Sequence, residues 1–147
     1  MSGPRERADV VFFARIGAIE RLATQRLERA LPDGLSAAGL AVLSRLALAD
    51  TPPTPQRLAS DLLLSKPAMT HTLQRLERRR LIAVSPDAAD GRRKRIALTP
   101  AGAAALQRAG AAVRPKLEAV RAAFSPAEFD ALLPFLGRLG AWLAANP

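Results

Sequence analysis

Two short segments with alternating apolar side chains constrain the fold of this chain more than any other feature. They are LIAVS at 81–85 and KRIAL at 94–98, and β-branched residues occur in both. Pairing Ile82 with Leu98 and Val84 with Ile96 puts all four side chains on one face, as an antiparallel hairpin requires. The connection PDAADGRR, about eight residues, is long for a hairpin and is predicted to protrude.

Helical spacing dominates the rest of the chain. Apolar residues three or four apart predict a first helix over about 6–31. Five further helix starts are predicted from capping residues: Ser36, Thr54, Ser65, Thr99 and Ser125. Ser125 and Glu128 fit a capping box, while Pro115 and Pro134 are expected to disturb the last two helices, with a kink at Pro115. The predicted fold is therefore mainly α with a small β-hairpin.

Composition excludes several kinds of chemistry. The chain has 147 residues, of which 49% are apolar, so we expect one packed domain. It has no cysteine, no tyrosine and one histidine, His71. Disulfides, thiolate zinc sites, cysteine-based redox sensing and multi-histidine metal sites are therefore excluded. Paired carboxylates of the kind used in catalysis are not found either, so we expect no catalytic residues, no metal and no cofactor.

The sequence also gives no sign of a membrane. No window of 18 consecutive apolar residues occurs, and the N-terminal segment lacks the apolar core and cleavage site of a signal peptide. We expect no membrane partner and a cytoplasmic location.

Positive charge is concentrated in the middle of the chain. The net charge is +9. Residues 65–95 contain nine Lys or Arg and three Asp or Glu, a net of +6, whereas the other 116 residues contribute only +3. A local excess of this kind points to a polyanionic partner.

Three helices followed by a hairpin describe a winged helix-turn-helix, in which the last of the three helices enters the DNA major groove. In the helix capped by Ser65, the apolar stripe of Met69, Leu73 and Leu76 is expected to face the core. Polar and basic side chains occupy mainly the opposite side, where they can reach base edges or phosphates: Lys66, Thr70, His71, Gln74 and Arg75.

The segment from 35 to 103 resembles the MarR family of bacterial transcriptional regulators. The wing pattern D-x-x-D-[G or R]-R, an apolar strand and L-T-x-x-G carry the resemblance: Asp87, Asp90, Gly91, Arg92, Ile96, Leu98, Thr99 and Gly102. The resemblance implies a homodimeric regulator, often a repressor, that binds double-stranded DNA at a pseudo-palindromic operator. It further implies a small aromatic or lipophilic effector held between the dimerisation and DNA-binding regions.

Roles for individual residues follow from the resemblance and the helix pattern together. The predicted DNA-binding residues are Ser65, Lys66, Pro67, Thr70, His71, Gln74, Arg75, Arg92, Arg93 and Lys94. Arg92 or Arg93 is expected to enter the minor groove from the wing tip, and Asp87 and Asp90 to stabilise the wing. We assign 35–103 to the winged helix-turn-helix and 1–34 with 104–147 to a helical dimerisation region, the whole forming one intertwined domain.

The six aromatic residues are confined to the two ends of the chain. The two ends are therefore expected to share a core distinct from the middle, and a dimer interface is preferred to a ligand pocket. The predicted interface residues are Phe12, Phe13, Ile16, Phe129, Leu132, Leu136 and Trp142.

Two positions depart from the family pattern. Leu63 lies in the helix-turn-helix turn and Arg80 just after the recognition helix, where glycine is frequent. A positive φ at either position costs roughly 1 kcal/mol. We expect the local turns to differ slightly instead.

Simpler interpretations compete with these assignments. Arg92–Arg95 can be a solvated run, in which Lys94 and Arg95 only keep the strand hydrated, and Arg78–Arg80 can complement the helix dipole. A non-specific architectural DNA-binding protein is the alternative function. A small helical enzyme and a protein-binding winged helix are less consistent with the residues present.

Overall fold

The computed structural model describes residues 7–147. The predicted helix start at residue 6, like the first six residues of the 1–34 segment, lies outside the described residues. The elements, in chain order, are α1 (Ala8–Ala30), a 3₁₀ turn (Pro32–Gly34), α2 (Ala37–Ala47), α3 (Pro55–Asp61), α4 (Lys66–Arg78), β1 (Ile82–Pro86), β2 (Lys94–Leu98), α5 (Pro100–Ala123) and α6 (Pro126–Ala145). The mainly helical fold with one antiparallel hairpin is confirmed.

All five predicted helix starts are confirmed. Ser36, Thr54, Ser65 and Thr99 each accept a hydrogen bond from the backbone N–H three residues later, at 3.0–3.3 Å. A cap of this kind contributes about 1 kcal/mol. At α6, Glu128 Oε2 accepts from the Ser125 backbone N–H at 2.8 Å. That bond and a second from the Ser125 hydroxyl lower the pKa of Glu128.

The core lies between the hairpin and helices α2 to α5. Strand pairing sets Ile82 opposite Leu98 and Val84 opposite Ile96, so the predicted register is confirmed. Ile82 and Ile96 are buried with the α4 stripe of Met69, Leu73 and Leu76. The N–H of Ile96 donates to the carbonyl of Pro53 at 2.9 Å, which ties the segment before α3 to the free edge of β2.

The turns after α3 and α4 differ from the expectation. Leu63 has a φ of 53° and Arg80 a φ of 58°, so the prediction that these turns avoid positive φ was wrong. Both helices end in a Schellman motif. The N–H of Leu81 donates to Leu76 O at 3.0 Å and that of Arg80 to Glu77 O at 2.8 Å. Two backbone hydrogen bonds and the burial of Leu81 offset a strain of roughly 1 kcal/mol.

Leu63 repeats this arrangement in the turn after α3. Its N–H donates to Ser60 O at 3.3 Å, and the N–H of Leu64 donates to Ala59 O at 2.9 Å. The Leu63 side chain is 69% exposed. A non-glycine residue is therefore retained in the left-handed conformation without crowding the core.

Aromatic rings from the two ends of the chain are in contact, whereas a core shared by the two ends stays a prediction. The rings of Phe12 and Phe135 lie edge to face with centroids 5.4 Å apart. Neither α1 nor α6 has a buried residue, so these helices keep an apolar surface open to solvent. α5 and α6 continue through Pro115 and Pro134, and a kink at Pro115 stays a prediction. Among the described helices, none is long and apolar enough to cross a membrane.

Candidate nucleic-acid interface

Helix α4 buries one side and exposes the other. Met69, Leu73 and Leu76 are buried, and so is Thr72, which the sequence interpretation did not include. The Thr72 hydroxyl donates to Ala68 O at 2.9 Å, so its polar group is satisfied inside the core. A threonine at helical spacing from three apolar residues is the signal that places it on the buried side.

The exposed side of α4 carries the predicted contact residues. They are Lys66, Pro67, Thr70, His71, Gln74 and Arg75, each of them exposed. Ser65 is exposed at the N-cap, where its hydroxyl accepts from Ala68 N–H, and the Thr70 hydroxyl donates to Lys66 O at 3.0 Å. Within residues 7–147 no hydrogen bond occupies the side-chain polar atoms of Lys66, His71 or Gln74. These three side chains are therefore available to an external partner.

Arg78 lies at the end of the same exposed side but behaves differently. Its Nε donates to the Gln74 carbonyl at 3.3 Å, within the last turn of α4. A cation at this position complements the helix dipole, as the simpler interpretation of Arg78–Arg80 predicts.

The turn between β1 and β2 is held by its own backbone and by two carboxylates. The N–H of Asp87 donates to Arg93 O at 2.8 Å, and the N–H of Arg93 to Asp90 O at 2.9 Å. Asp87 Oδ1 accepts from Ala89 N–H at 3.0 Å and Asp90 Oδ1 from Arg92 N–H at 3.1 Å. The tip is therefore a defined turn.

The two tip arginines are not equivalent. Arg93 Nε lies 3.8 Å from Asp90 Oδ2, whereas the guanidinium of Arg92 has no hydrogen bond or ion pair within the described part of the chain. Both residues and Lys94 are exposed. Of the two tip arginines, Arg92 is therefore the one whose guanidinium is available to an external partner.

Arg95 corrects the sequence interpretation. One interpretation was that it only keeps the strand hydrated, but its Nε and Nη2 donate to Asp87 Oδ2 at 3.0 and 2.8 Å. Its Nη1 donates to Pro52 O at 3.1 Å. The bond from Ala89 N–H and these bonds from Arg95 lower the pKa of Asp87. Arg95 thus joins the wing to the loop before α3. The predicted strand register pairs Ser85 with Arg95 and so places Asp87, two residues further along, within diagonal reach of Arg95; this is the sequence signal for the contact.

The L-T-x-x-G segment joins the wing, α4 and α5. The Thr99 hydroxyl donates to Arg80 O at 2.7 Å, and its N–H donates to Leu81 O at 3.2 Å. A Cβ atom on Gly102 would lie 2.0 Å from Leu81 O. Only glycine allows the first turn of α5 to approach the end of α4 this closely.

The predicted dimer residues lie on α1 and α6. Phe12 and Ile16 are half-buried within this chain, and five others are exposed: Phe13, Phe129, Leu132, Leu136 and Trp142. The Trp142 side chain, for example, is 60% exposed. Within this set, the rings of Phe12 and Phe13 contact each other with centroids 5.6 Å apart, and the use of these residues as a dimer interface stays a prediction.

Comparisons with known proteins give the family. The model for the MarR family matches residues 33–93. The transcriptional regulator MosR of M. tuberculosis, solved in complex with DNA, is 30% identical over 95% of this chain and 98% of its own, with a TM-score of 0.76. A probable transcriptional regulator from Pseudomonas aeruginosa is 33% identical over 84% of this chain and 96% of its own, with a TM-score of 0.70.

A more distant match shows the fold alone. The PcaV transcriptional regulator from Streptomyces coelicolor, in complex with its natural ligand, is 18% identical over 96% of this chain and 98% of its own, with a TM-score of 0.80. None of the curated proteins matches the chain.

The fold and the exposed basic surface of α4 and the wing define the protein as a DNA-binding regulator of the winged helix-turn-helix class. The chain belongs to the MarR family of transcriptional regulators. The similar proteins are transcription regulators, a class that is generally not enzymatic.

Proposed function

We propose that the protein is a sequence-specific transcriptional repressor that binds a pseudo-palindromic operator as a homodimer. The observation that carries this proposal is that two available surfaces occur together. On the exposed side of α4, Gln74 and His71 have no side-chain partner within residues 7–147, and at the wing tip the guanidinium of Arg92 has none there either. Base-edge donors on the helix supply specificity, and the wing and flanking cations supply affinity through phosphates and groove width. The other predicted contacts, from Ser65 to Arg75 and from Arg92 to Lys94, belong to the same surface.

A homodimer is supported by the apolar surface that α1 and α6 leave exposed. Large side chains such as Leu132, Leu133 and Trp142 are more than half exposed there. Large contiguous apolar patches are uncommon on soluble monomers and mark interfaces, and α6 alone exposes Phe129, Leu132, Leu133, Phe135, Leu136, Trp142 and Leu143. We therefore assign 1–34 and 104–147 to dimerisation and 35–103 to DNA binding. Twofold symmetry then sets the two α4 helices about one DNA turn, roughly 10 bp, apart.

The effector part of the proposal has separate support. PcaV has the same fold and was solved with its natural ligand. A ligand that prefers one spacing of the two recognition helices shifts the population and with it the operator affinity. We propose a small aromatic or lipophilic effector, and a cytoplasmic location because the DNA partner is there.

Selection of bound sequences from random DNA tests the central claim. A homodimeric reader enriches an inverted repeat with half-sites roughly 10 bp apart. Competition at fixed salt then gives the ratio of specific to non-specific affinity, which is typically above about 10³ for specific regulators. A ratio near one, with no enriched motif, contradicts sequence-specific regulation and favours the architectural alternative.

A reporter assay separates the finer roles. A promoter that contains the selected operator should be silenced by the protein and released by an effector found in a screen for loss of operator binding. Activation of the promoter contradicts the repressor assignment without affecting the DNA-binding claim.

A further inference from the structure

A cavity of about 330 Å³ lies at the base of the wing, between the end of α2, the loop after it, the start of α3 and β2. Three arginines from three separate elements line it: Arg45 from α2, Arg57 from α3 and Arg95 from β2. One acidic residue, Asp50, also lines the cavity. Its volume lies at the lower end of the range of small-ligand sites, and its lining is cationic.

Asp61 holds two of these arginines in place. Its Oδ2 accepts from Arg45 Nε at 2.9 Å, and its Oδ1 lies 2.9 Å from Arg57 Nε. Burial acts to raise the pKa of Asp61, but the bonds from Arg57 and Arg45 outweigh it and lower the pKa. The carboxylate therefore stays charged and keeps the guanidinium groups of α2 and α3 beside each other.

These bonds leave several N–H donors unused. A guanidinium has five N–H donors, and Asp61 lies against the Nε edge of Arg57. Within residues 7–147, no hydrogen bond occupies the two terminal amino groups of Arg57, whose side chain is 68% exposed. The Nη1 group of Arg45 is likewise unused there. Arg95 directs its Nη1 to Pro52 O, next to the lining residue Pro53.

We propose that this cavity is a binding site for a phosphate group, in which Arg57 makes a two-point contact and Arg45 and Arg95 complete the cationic wall. The planar fork of arginine matches phosphate oxygens in pairs. A tetrahedral phosphate accepts from several directions at once, which suits cations that come from three elements better than the single plane of a carboxylate does.

Two sources supply this chemistry: a backbone phosphate of bound DNA and a free phosphate monoester. Only the first source rests on the function proposed above. In either case Arg95 connects the site to the wing, because the same guanidinium bonds Asp87 in the turn that carries Arg92. Occupancy of the cavity is therefore linked to the position of the wing tip.

The first experiment uses the protein without DNA. Inorganic phosphate is titrated against sodium chloride at equal ionic strength, and backbone amide shifts of 49–57 are followed by NMR. The wild type is compared with Arg57→Gln, and with Arg114→Gln as a matched removal of an exposed arginine on α5. We expect binding in the wild type and in Arg114→Gln, and an affinity about tenfold weaker in Arg57→Gln, the reduction expected for a charged two-point contact.

The second experiment measures operator affinity against salt for the same proteins. If the occupant is a DNA phosphate, the slope of log K against log salt falls by about 0.9 per site in Arg57→Gln and is unchanged in Arg114→Gln. If it is a free phosphate, the slope is unchanged and only the titration responds.

An Arg57→Gln variant that matches the wild type in both experiments overturns the proposal. If the protein has no specific operator, the function proposed above is contradicted. The phosphate titration without DNA still tests the cavity in that case.

Discussion

Replacing Gly102 by Ala tests how closely α5 is joined to α4. The new Cβ would lie 2.0 Å from Leu81 O and 2.7 Å from Leu98 Cδ1, so the backbone has to move by about 1 Å to restore contact distance. Overpacking in a filled core costs about 1–3 kcal/mol, and the shift strains the Thr99 bonds to Arg80 and Leu81, about 1 kcal/mol each. We expect the free energy of unfolding to fall by about 3 kcal/mol.

Gly110→Ala is the matched control, because Gly110 lies in the same helix with nothing within 4 Å of an added Cβ. Helix propensity alone favours Ala over Gly by up to about 1 kcal/mol at an interior position. The two substitutions are therefore expected to have opposite signs. Urea unfolding followed by circular dichroism, at one fixed protein concentration because a dimer's stability depends on it, gives both values.

A fall of about 3 kcal/mol is a large part of the roughly 5–15 kcal/mol stability of a typical domain. It corresponds to a fall in Tm of about 10 °C for a chain of this size. If Gly102→Ala is as stable as the wild type, or is stabilised as Gly110→Ala is, then the close approach of α5 to Leu81 does not determine the residue at 102.

Three further substitutions address the wing and the apolar helices. Arg92→Ala should weaken operator binding and reduce the salt slope by about 0.9 for each phosphate that is no longer neutralised, and an unchanged slope and affinity in a filter-binding series contradicts the wing-tip assignment. Asp87→Asn should also weaken binding, although removing a negative charge favours DNA by simple electrostatics. The Asp87 carboxylate stabilises the wing by accepting hydrogen bonds from Ala89 N–H and Arg95. Because its folded-state pKa is lowered, this stabilisation is present above the ordinary pKa of about 3.9 and is lost as the pH falls through the lowered pKa. Tighter operator binding by Asp87→Asn in the same assay contradicts this role of Asp87 in the wing. Leu132→Glu should give a monomer in light scattering, whereas Leu48→Glu, at an exposed leucine that follows α2, should leave the dimer intact.

The hairpin and the helix starts were predictable because each depends on nearby residues. A period of two on both strands fixes the register, since a shift by one residue would turn Ile82 and Ile96 to solvent. Likewise, Ser and Thr at the caps act on an N–H only three residues away. Local chemistry of this kind is read directly from the sequence.

Arg95 and the two Schellman turns were misjudged for a different reason. The role of Arg95 depends on Pro52, 43 residues away, and no local pattern reports that contact. At Arg80 the prediction against a positive φ rested only on the preference of that conformation for glycine. The two backbone hydrogen bonds that offset the strain of positive φ are local, but the burial of Leu81, which also offsets it, exists only in the folded core.

The candidate site was predictable as a surface but less so in its internal organisation. The positions on α4 follow from helical spacing, and those on the wing from the family pattern. Arg45 and Asp61 join α2 to α3 although they are 16 residues apart, and no local pattern reports that contact, whereas the Arg57–Asp61 ion pair lies within α3 at the i, i+4 spacing of a helix. The cavity that they border was therefore not visible before the fold was known.

The junction at Thr99 and Gly102 joins the start of α5 to the residues that follow the recognition helix. Arg80 and Leu81 follow the recognition helix directly, and both of their carbonyls accept hydrogen bonds from Thr99, the residue that caps α5. Because Gly102 removes the space between the two backbones, α5 has no room to slide or tilt toward Leu81 at this point without moving the end of α4. A displacement of the start of α5 toward Leu81 would therefore require the residues that follow the recognition helix to move as well.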